Sequence, residues 1–222
     1  VGDRGTIEAE KGIAEVVDTK KPLPGIIVHY AVIKKGTLLV GDKVDLKVDE
    51  KLRFGIETHH STTHILHAVL REVLGTHVGQ AGSLVAPGRL RFDFTHHSSI
   101  DSKDIRKMED IINDRIRWDD NVVIETDVPY DEAIKKGAMA FFEEKYGDKV
   151  RVVSIGDYSV ELCGGTHLDS SGEAGLFKIV SEGASSAGVR RIDALAGRSA
   201  WDFMRGKEDT LTQATDILRV SE

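Results

Sequence analysis

The stretch His60-Ser61-Thr62-Thr63-His64-Ile65-Leu66-His67-Ala68-Val69-Leu70-Arg71 lies within an apolar pattern of Ile65, Leu66, Val69, Leu70, Val73 and Leu74. That 3.6-residue repeat predicts a helix from about Glu50 to Leu74, uninterrupted by glycine after Gly55 and halted at Gly75. On such a helix His60 and His64 share one face, so both imidazoles can reach a single ion, and His67 lies nearly in line with them.

Upstream of this helix the pattern is different. Residues 1–49 are punctuated by turn signals at Lys11-Gly12, Pro24-Gly25, Lys35-Gly36 and Gly41-Asp42, and Val44, Leu46 and Val48 alternate as on one strand face. This spacing suits a small antiparallel β unit, a barrel or a meander, and the expectation is a β-barrel. Downstream, Ser83-Leu84-Val85 and Arg89 to Phe94 read as a hairpin around Ala86-Pro87-Gly88, with Leu90, Phe92 and Phe94 on one face. A second helix fits Asp101 to Trp118, its stripe made by Ile105, Met108, Ile111, Ile112 and Ile116. Asp131 to Tyr146 reads as a third helix or a pair of turns. Val150 to Ile155 and Tyr158 to Leu162 read as strands joined at Gly156-Asp157, and Leu176 to Val180 and Val189 to Leu195 as the final pair. From Trp201 onward the chain is polar and helical, with apolar positions too sparse to fold alone. The expected class is therefore α+β: a β-barrel over residues 1–49, an α/β core over 50–198 and the start of a helical region over 199–222.

Composition narrows the function. No run approaches the ~20 apolar residues of a membrane-spanning helix, and the start carries no basic-plus-apolar secretory pattern. A lone cysteine, Cys163, cannot form an internal disulfide, which fits a reducing, cytoplasmic setting and leaves the thiol free for a metal or for chemistry. The net charge of −7 argues against broad grip on a phosphate backbone, so any RNA contact must be local.

That cysteine opens a second motif, Cys163-Gly164-Gly165-Thr166-His167, in which two glycines let the backbone turn between a thiolate and another imidazole. Taken with the helix, this offers a His60, His64, Cys163, His167 donor set. Nitrogen and sulfur donors suit zinc, whereas magnesium and calcium prefer oxygen. Three protein ligands would leave an open position and four would close the site, and the sequence permits either role for His167. The helix lacks the Glu of a His-Glu-x-x-His metalloprotease. A further pair, His96-His97, follows the hairpin, matches no metal spacing and reads as loop.

The chain resembles the editing domain of the alanyl-tRNA synthetase family. The residues that carry the resemblance are the histidine helix, Gln80 to Val85, Arg89 to Phe94, Gly137 to Ala140, Glu144 to Gly147, Val160 to His167, Gly175 to Glu182 and Gly188 to Ile192, in that order. The resemblance implies an α+β editing core behind a small β-barrel, and hydrolysis of seryl- or glycyl-tRNA(Ala) at the tRNA 3′ end. It implies zinc held by His60, His64, Cys163 and His167, and a pocket lined by Thr63 and Gln80. Arg190 and Arg191 are candidates for touching the RNA end. Each also has a plainer reading: Thr63 as a hydrogen bond back along its helix, Gln80 as a solvated amide, the arginines as surface charges. No residue stands out as a general base. The aminoacylation domain that binds ATP has no counterpart, and the chain reads as a piece of a synthetase rather than a free-standing trans-editing protein. The threonyl-tRNA synthetase editing domain has a similar histidine helix but a different setting for its cysteine. The rival from another class is a zinc-stabilised RNA-binding module without catalysis.

Overall fold

The structure is a computed structural model that describes residues 2–23, 25–140 and 146–218. The chain divides into two compact units, residues 1–56 and 57–222.

The first unit is one antiparallel sheet built from β1 (Gly5–Ala9), β2 (Gly12–Leu23), β3 (Ile26–Gly36) and β4 (Asp45–Val48), in the order β3-β2-β1-β4. It is not the closed barrel the turn spacing suggested. Closure needs the two edge strands to pair. Here β3 has 11 residues and β4 only four, and the β2–β3 hairpin runs on beyond β1 through three register shifts. Alternation is clear along β2, where Gly12, Ala14 and Val16 face inward. It fails along β4, whose Leu46 and Val48 are exposed, because a four-residue edge strand has no layer stacked on it. The start of α1 (Glu50–Leu74) belongs to this unit: Asp49 Oδ1 accepts from the Leu52 amide at 3.1 Å and Arg53 pairs with Asp3.

The second unit is built around the rest of α1. A four-stranded antiparallel sheet, ordered β10-β11-β6-β5, comprises β5 (Gln80–Ala86), β6 (Arg89–Thr95), β10 (Phe177–Ser186) and β11 (Val189–Ala196). Leu90, Phe92 and Phe94 of β6 are fully buried, which is what their period-two spacing predicts. They share one core with Ile65, Leu66, Val69 and Leu70 of α1 and with Met108, Ile112 and Ile116 of α2 (Ser102–Trp118). A three-stranded sheet of β7 (Val122–Pro129), β8 (Lys149–Ile155) and β9 (Ser159–Leu162) carries a smaller cluster of Val128, Val150, Val152 and Leu162. Strand β7 has no counterpart in the sequence reading; only Val128 along it is buried, so its apolar residues show no regular period. The expected helix from Asp131 is the short α3 (Tyr130–Lys135), followed by Gly137 at φ 86°, and residues 141–145 lie outside the described residues. The chain continues into α4 (Gly197–Leu218), of which only Ala200 is buried. Among the described residues, no helix is long and apolar enough to cross a membrane.

Helix α2 is capped by Asp101, whose Oδ1 accepts from the Asp104 amide at 2.7 Å. Asp101→Ala is expected to cost about 1 kcal/mol, read as a lower urea midpoint with an unchanged slope.

Candidate metal centre

Four donors from two distant segments meet in the second unit. His60 and His64 project from one face of α1, while Cys163 and His167 lie on the loop that leaves β9. Their ligand atoms all fall within 4.8 Å of one another. Cys163 Sγ is 3.4 Å from His60 Nε2 and 3.3 Å from His167 Nε2, and a His64 ring nitrogen lies within 4.8 Å of it.

The far side of each ring is held. His60 Nδ1 lies 3.0 Å from the Thr166 carbonyl, which can only accept, so this nitrogen carries the proton and Nε2 presents a lone pair to the cluster. Ser61 Oγ lies 3.1 Å from His167 Nδ1 and accepts from the Leu168 amide. His64 Nδ1 lies 2.7 Å from Glu161 Oε2, at charge-pair distance though off the line of a hydrogen bond, and His67 Nδ1 hydrogen-bonds Glu161 Oε1 at 3.0 Å. Such outer partners orient metal-binding imidazoles and set their tautomers.

The loop is shaped to fit the helix. Arg151 on β8 donates from Nη1 to the carbonyls of Cys163 and Gly165, at 2.6 and 2.9 Å. Gly165 passes so close to His60 that a Cβ there would stand 2.2 Å from its Cε1, whereas a Cβ at Gly164 would meet nothing within 4 Å. One of the two glycines is therefore required by contact.

Charge follows from this packing. Burial raises the pKa of the Cys163 thiol, but its contacts with His167, His60 and His64 outweigh that and hold it down to about 3, so it is a thiolate at neutral pH. Burial, aided by the neighbouring imidazoles, pulls His167 down to about 4 against the pull of Cys163, which keeps it neutral. For His64 burial acts downward, yet Glu161 and Cys163 raise it to about 10. Burial would raise Glu161, but His64 and His67 bring it to about 2. A thiolate among imidazoles is a ligand set for a borderline-soft ion, and the His/Cys cluster could hold one.

Beside the cluster lies a cavity of about 100 Å³ lined by Thr63, His67, Gln80, Ser83 and Glu161 together with three of the donors.

The family described as "Threonyl and Alanyl tRNA synthetase second additional domain" matches residues 150–193, which include the Cys163 loop. Alanine–tRNA ligases of Carboxydothermus hydrogenoformans and Listeria monocytogenes are each 49% identical over 97% and 100% of this chain, and that of Chelativorans is 47% identical over all of it. The chain belongs to the alanyl-tRNA synthetase family. It spans about a quarter of the length of these relatives, 25–26% of each. The relatives are enzymes by name, and these alanine ligases match the whole length of the chain, the cysteine loop as well as the histidine helix.

Within this family sequence, the fold brings His60, His64, Cys163 and His167 together and sets Thr63 and Gln80 on the adjoining cavity. Thr63 Oγ1 donates to the His59 carbonyl at 2.7 Å, and the residue lines the cavity. Gln80 Nε2 donates to Ser83 Oγ at 3.4 Å. Arg190 and Arg191 are not among the cavity-lining residues. Each forms a two-pronged ion pair, Arg190 with Glu182 and Arg191 with Asp93. Glu161, Ser83 and Arg151 have no role in the sequence reading. A signal for Glu161 exists: period two along β9 puts it on the side of the strand that Cys163 continues, a buried carboxylate two residues before a donor.

Proposed function

We propose that this chain is the zinc-containing editing segment of an alanyl-tRNA synthetase, and that it hydrolyses the ester of seryl- or glycyl-tRNA(Ala) at the tRNA 3′ end. The observation that carries the proposal is the convergence of three imidazole nitrogens and one thiolate beside a cavity sized for a small amino acid. His60, His64, Cys163 and His167 would hold the zinc, and the lone pair that His60 Nε2 presents and the ionised thiol fit that role. Zinc bound by three of them supplies Lewis acidity for ester hydrolysis, and by four it fixes the shape of the pocket.

The chain's own residues do the selecting. Thr63 donates to His59 and so keeps its hydroxyl lone pairs available to accept from a serine hydroxyl, while the Gln80 amide can donate to it. Alanine offers neither contact. A site built on such bonds rejects the analogue lacking the hydroxyl far better than an apolar pocket senses one methylene. Glycine enters by size. The tRNA contact is local, in keeping with a chain of net charge −7.

The test is release of serine from seryl-tRNA(Ala), with alanyl-tRNA(Ala) as control, for wild type and Cys163→Ala with zinc content recorded. Serine-selective release that falls to background in Cys163→Ala along with the zinc is the expected result. Retained zinc and tRNA binding with no release by wild type would replace the hydrolase with a binding module.

A further inference from the structure

A second histidine cluster lies apart from the first. His77 sits in the turn after α1, and His96 and His97 follow the end of β6. In sequence the His96-His97 pair has no partner at metal spacing; the fold supplies one from 19 residues upstream. One nitrogen from each ring lies within 4.8 Å of the other two. His77 Nε2 and His96 Nδ1 are 2.9 Å apart, and the His97 ring centroid is 4.8 Å from that of His96 and 5.9 Å from that of His77.

The backbone that carries these rings is fastened on both sides. Thr95 Oγ1 accepts from the Gly79 amide at 2.9 Å and donates to the His77 carbonyl at 3.0 Å, stapling the turn to the strand end. Arg71 Nη1 donates to the carbonyls of Thr76 and Val78, at 2.8 and 2.6 Å, and the His96 amide donates to the Gly188 carbonyl. His96 is nearly buried, with Nε2 3.2 Å from Ser98 Oγ, so its Nδ1 is the nitrogen turned toward His77. His77 and His97 are exposed.

We infer that His77, His96 and His97 form a second metal site, specific for a divalent first-row transition ion such as Zn2+, Ni2+ or Cu2+, with solvent completing the coordination. Donor nitrogens around a tetrahedral zinc stand about 3.3 Å apart, given a Zn–N bond of about 2.05 Å. The His77–His96 separation is close to that, and rotation of the exposed His97 side chain closes the third gap. Three imidazoles with no thiolate or carboxylate among them favour these ions in the order Cu2+ over Ni2+ and Zn2+, and disfavour Mg2+ and Ca2+. An isolated N–H···N hydrogen bond between His77 and His96 is the competing account, and it gives His97 no part.

The two accounts separate by stoichiometry. The intact chain is dialysed against Zn2+, and in parallel against Ni2+, as wild type, Cys163→Ala, His97→Ala and the double variant. The inference expects His97→Ala to remove one bound equivalent, or to weaken one site by at least about tenfold, from both the wild-type and the Cys163→Ala background. Because the comparison is made within each background, the result does not depend on whether the first cluster holds zinc. Equal binding with and without His97 in both backgrounds overturns the inference. Cu2+ added to Cys163→Ala gives an independent reading: because His60, His64 and His167 remain in that background, loss of one imidazole-nitrogen coupling on adding His97→Ala supports the site, and a paramagnetic resonance spectrum unchanged by His97→Ala removes it.

Discussion

Gly165→Ala should weaken zinc binding by about 10–100-fold, the range typical of changes that displace a ligand from behind, while Gly164→Ala leaves it unchanged. The two glycines are adjacent and chemically identical, so only their surroundings distinguish them. A methyl group at Gly165 would stand 2.2 Å from His60 Cε1 and 2.7 Å from its Nδ1. Neither side can yield easily. The ring is held by its bond to the Thr166 carbonyl, and the loop is clamped by Arg151 at the carbonyls on both sides of Gly164. His60 must therefore swing away from Cys163. Competition with a chromophoric chelator measures both affinities. Equal affinities for the two variants would mean that the loop moves freely, and that the clamp by Arg151 is weak.

Glu161→Ala should destabilise the second unit by about 3–5 kcal/mol, the cost of leaving buried charge without its partner. Glu161 is 3% exposed and faces two imidazoles, His64 at 2.7 Å and His67 at 3.0 Å. Alanine removes the acceptor of the His67 N–H and the countercharge of His64 together. Glu161→Gln keeps the shape and one accepting oxygen, and should cost less. The pH dependence has a definite sign. Burial would raise this carboxyl, but His64 and His67 depress it from 4.5 to about 2. The associated stability is therefore fully present above about pH 4.5 and is lost as the pH falls toward 2. Denaturant unfolding at several pH values, run with chelator present, checks both points. An acid limb that is as steep in Glu161→Gln as in wild type would show that other carboxylates govern it.

The sequence was most legible where one period ran long. The 25 residues of α1 and the alternation of Leu90, Phe92 and Phe94 report their burial directly, because each side chain's direction follows from helix or strand geometry alone. The His60 and His64 pair was visible for the same reason, since four residues along a helix mark one face, whereas Cys163 and His167 lie on a loop and were visible by their residue types alone. The open sheet of residues 1–56 was misread as a barrel because turn spacing counts strands without saying whether the first and last are long enough to meet. β7 was missed because a strand exposed along most of its length has no apolar rhythm. In the site, the period of β9 marks Glu161 as facing the side that Cys163 continues, but what a carboxylate does there becomes intelligible only when the two imidazoles beside it are seen. The same holds for His77, whose relation to His96 and His97 is created by a turn and a strand end, with no spacing in the chain to announce it.

Of the four donors of the first cluster, two belong to α1 and two to a loop about a hundred positions further on, His60 and Cys163 being 103 residues apart. In the unfolded chain no such group of donors exists, because bringing the two segments together demands the loop-closure entropy that only the finished core offsets. An ion held there acts as a reversible crosslink across most of the second unit. Folding and loading are then a single equilibrium, and a chelator becomes a denaturant of this unit in the same sense that a reducing agent is for a disulfide protein.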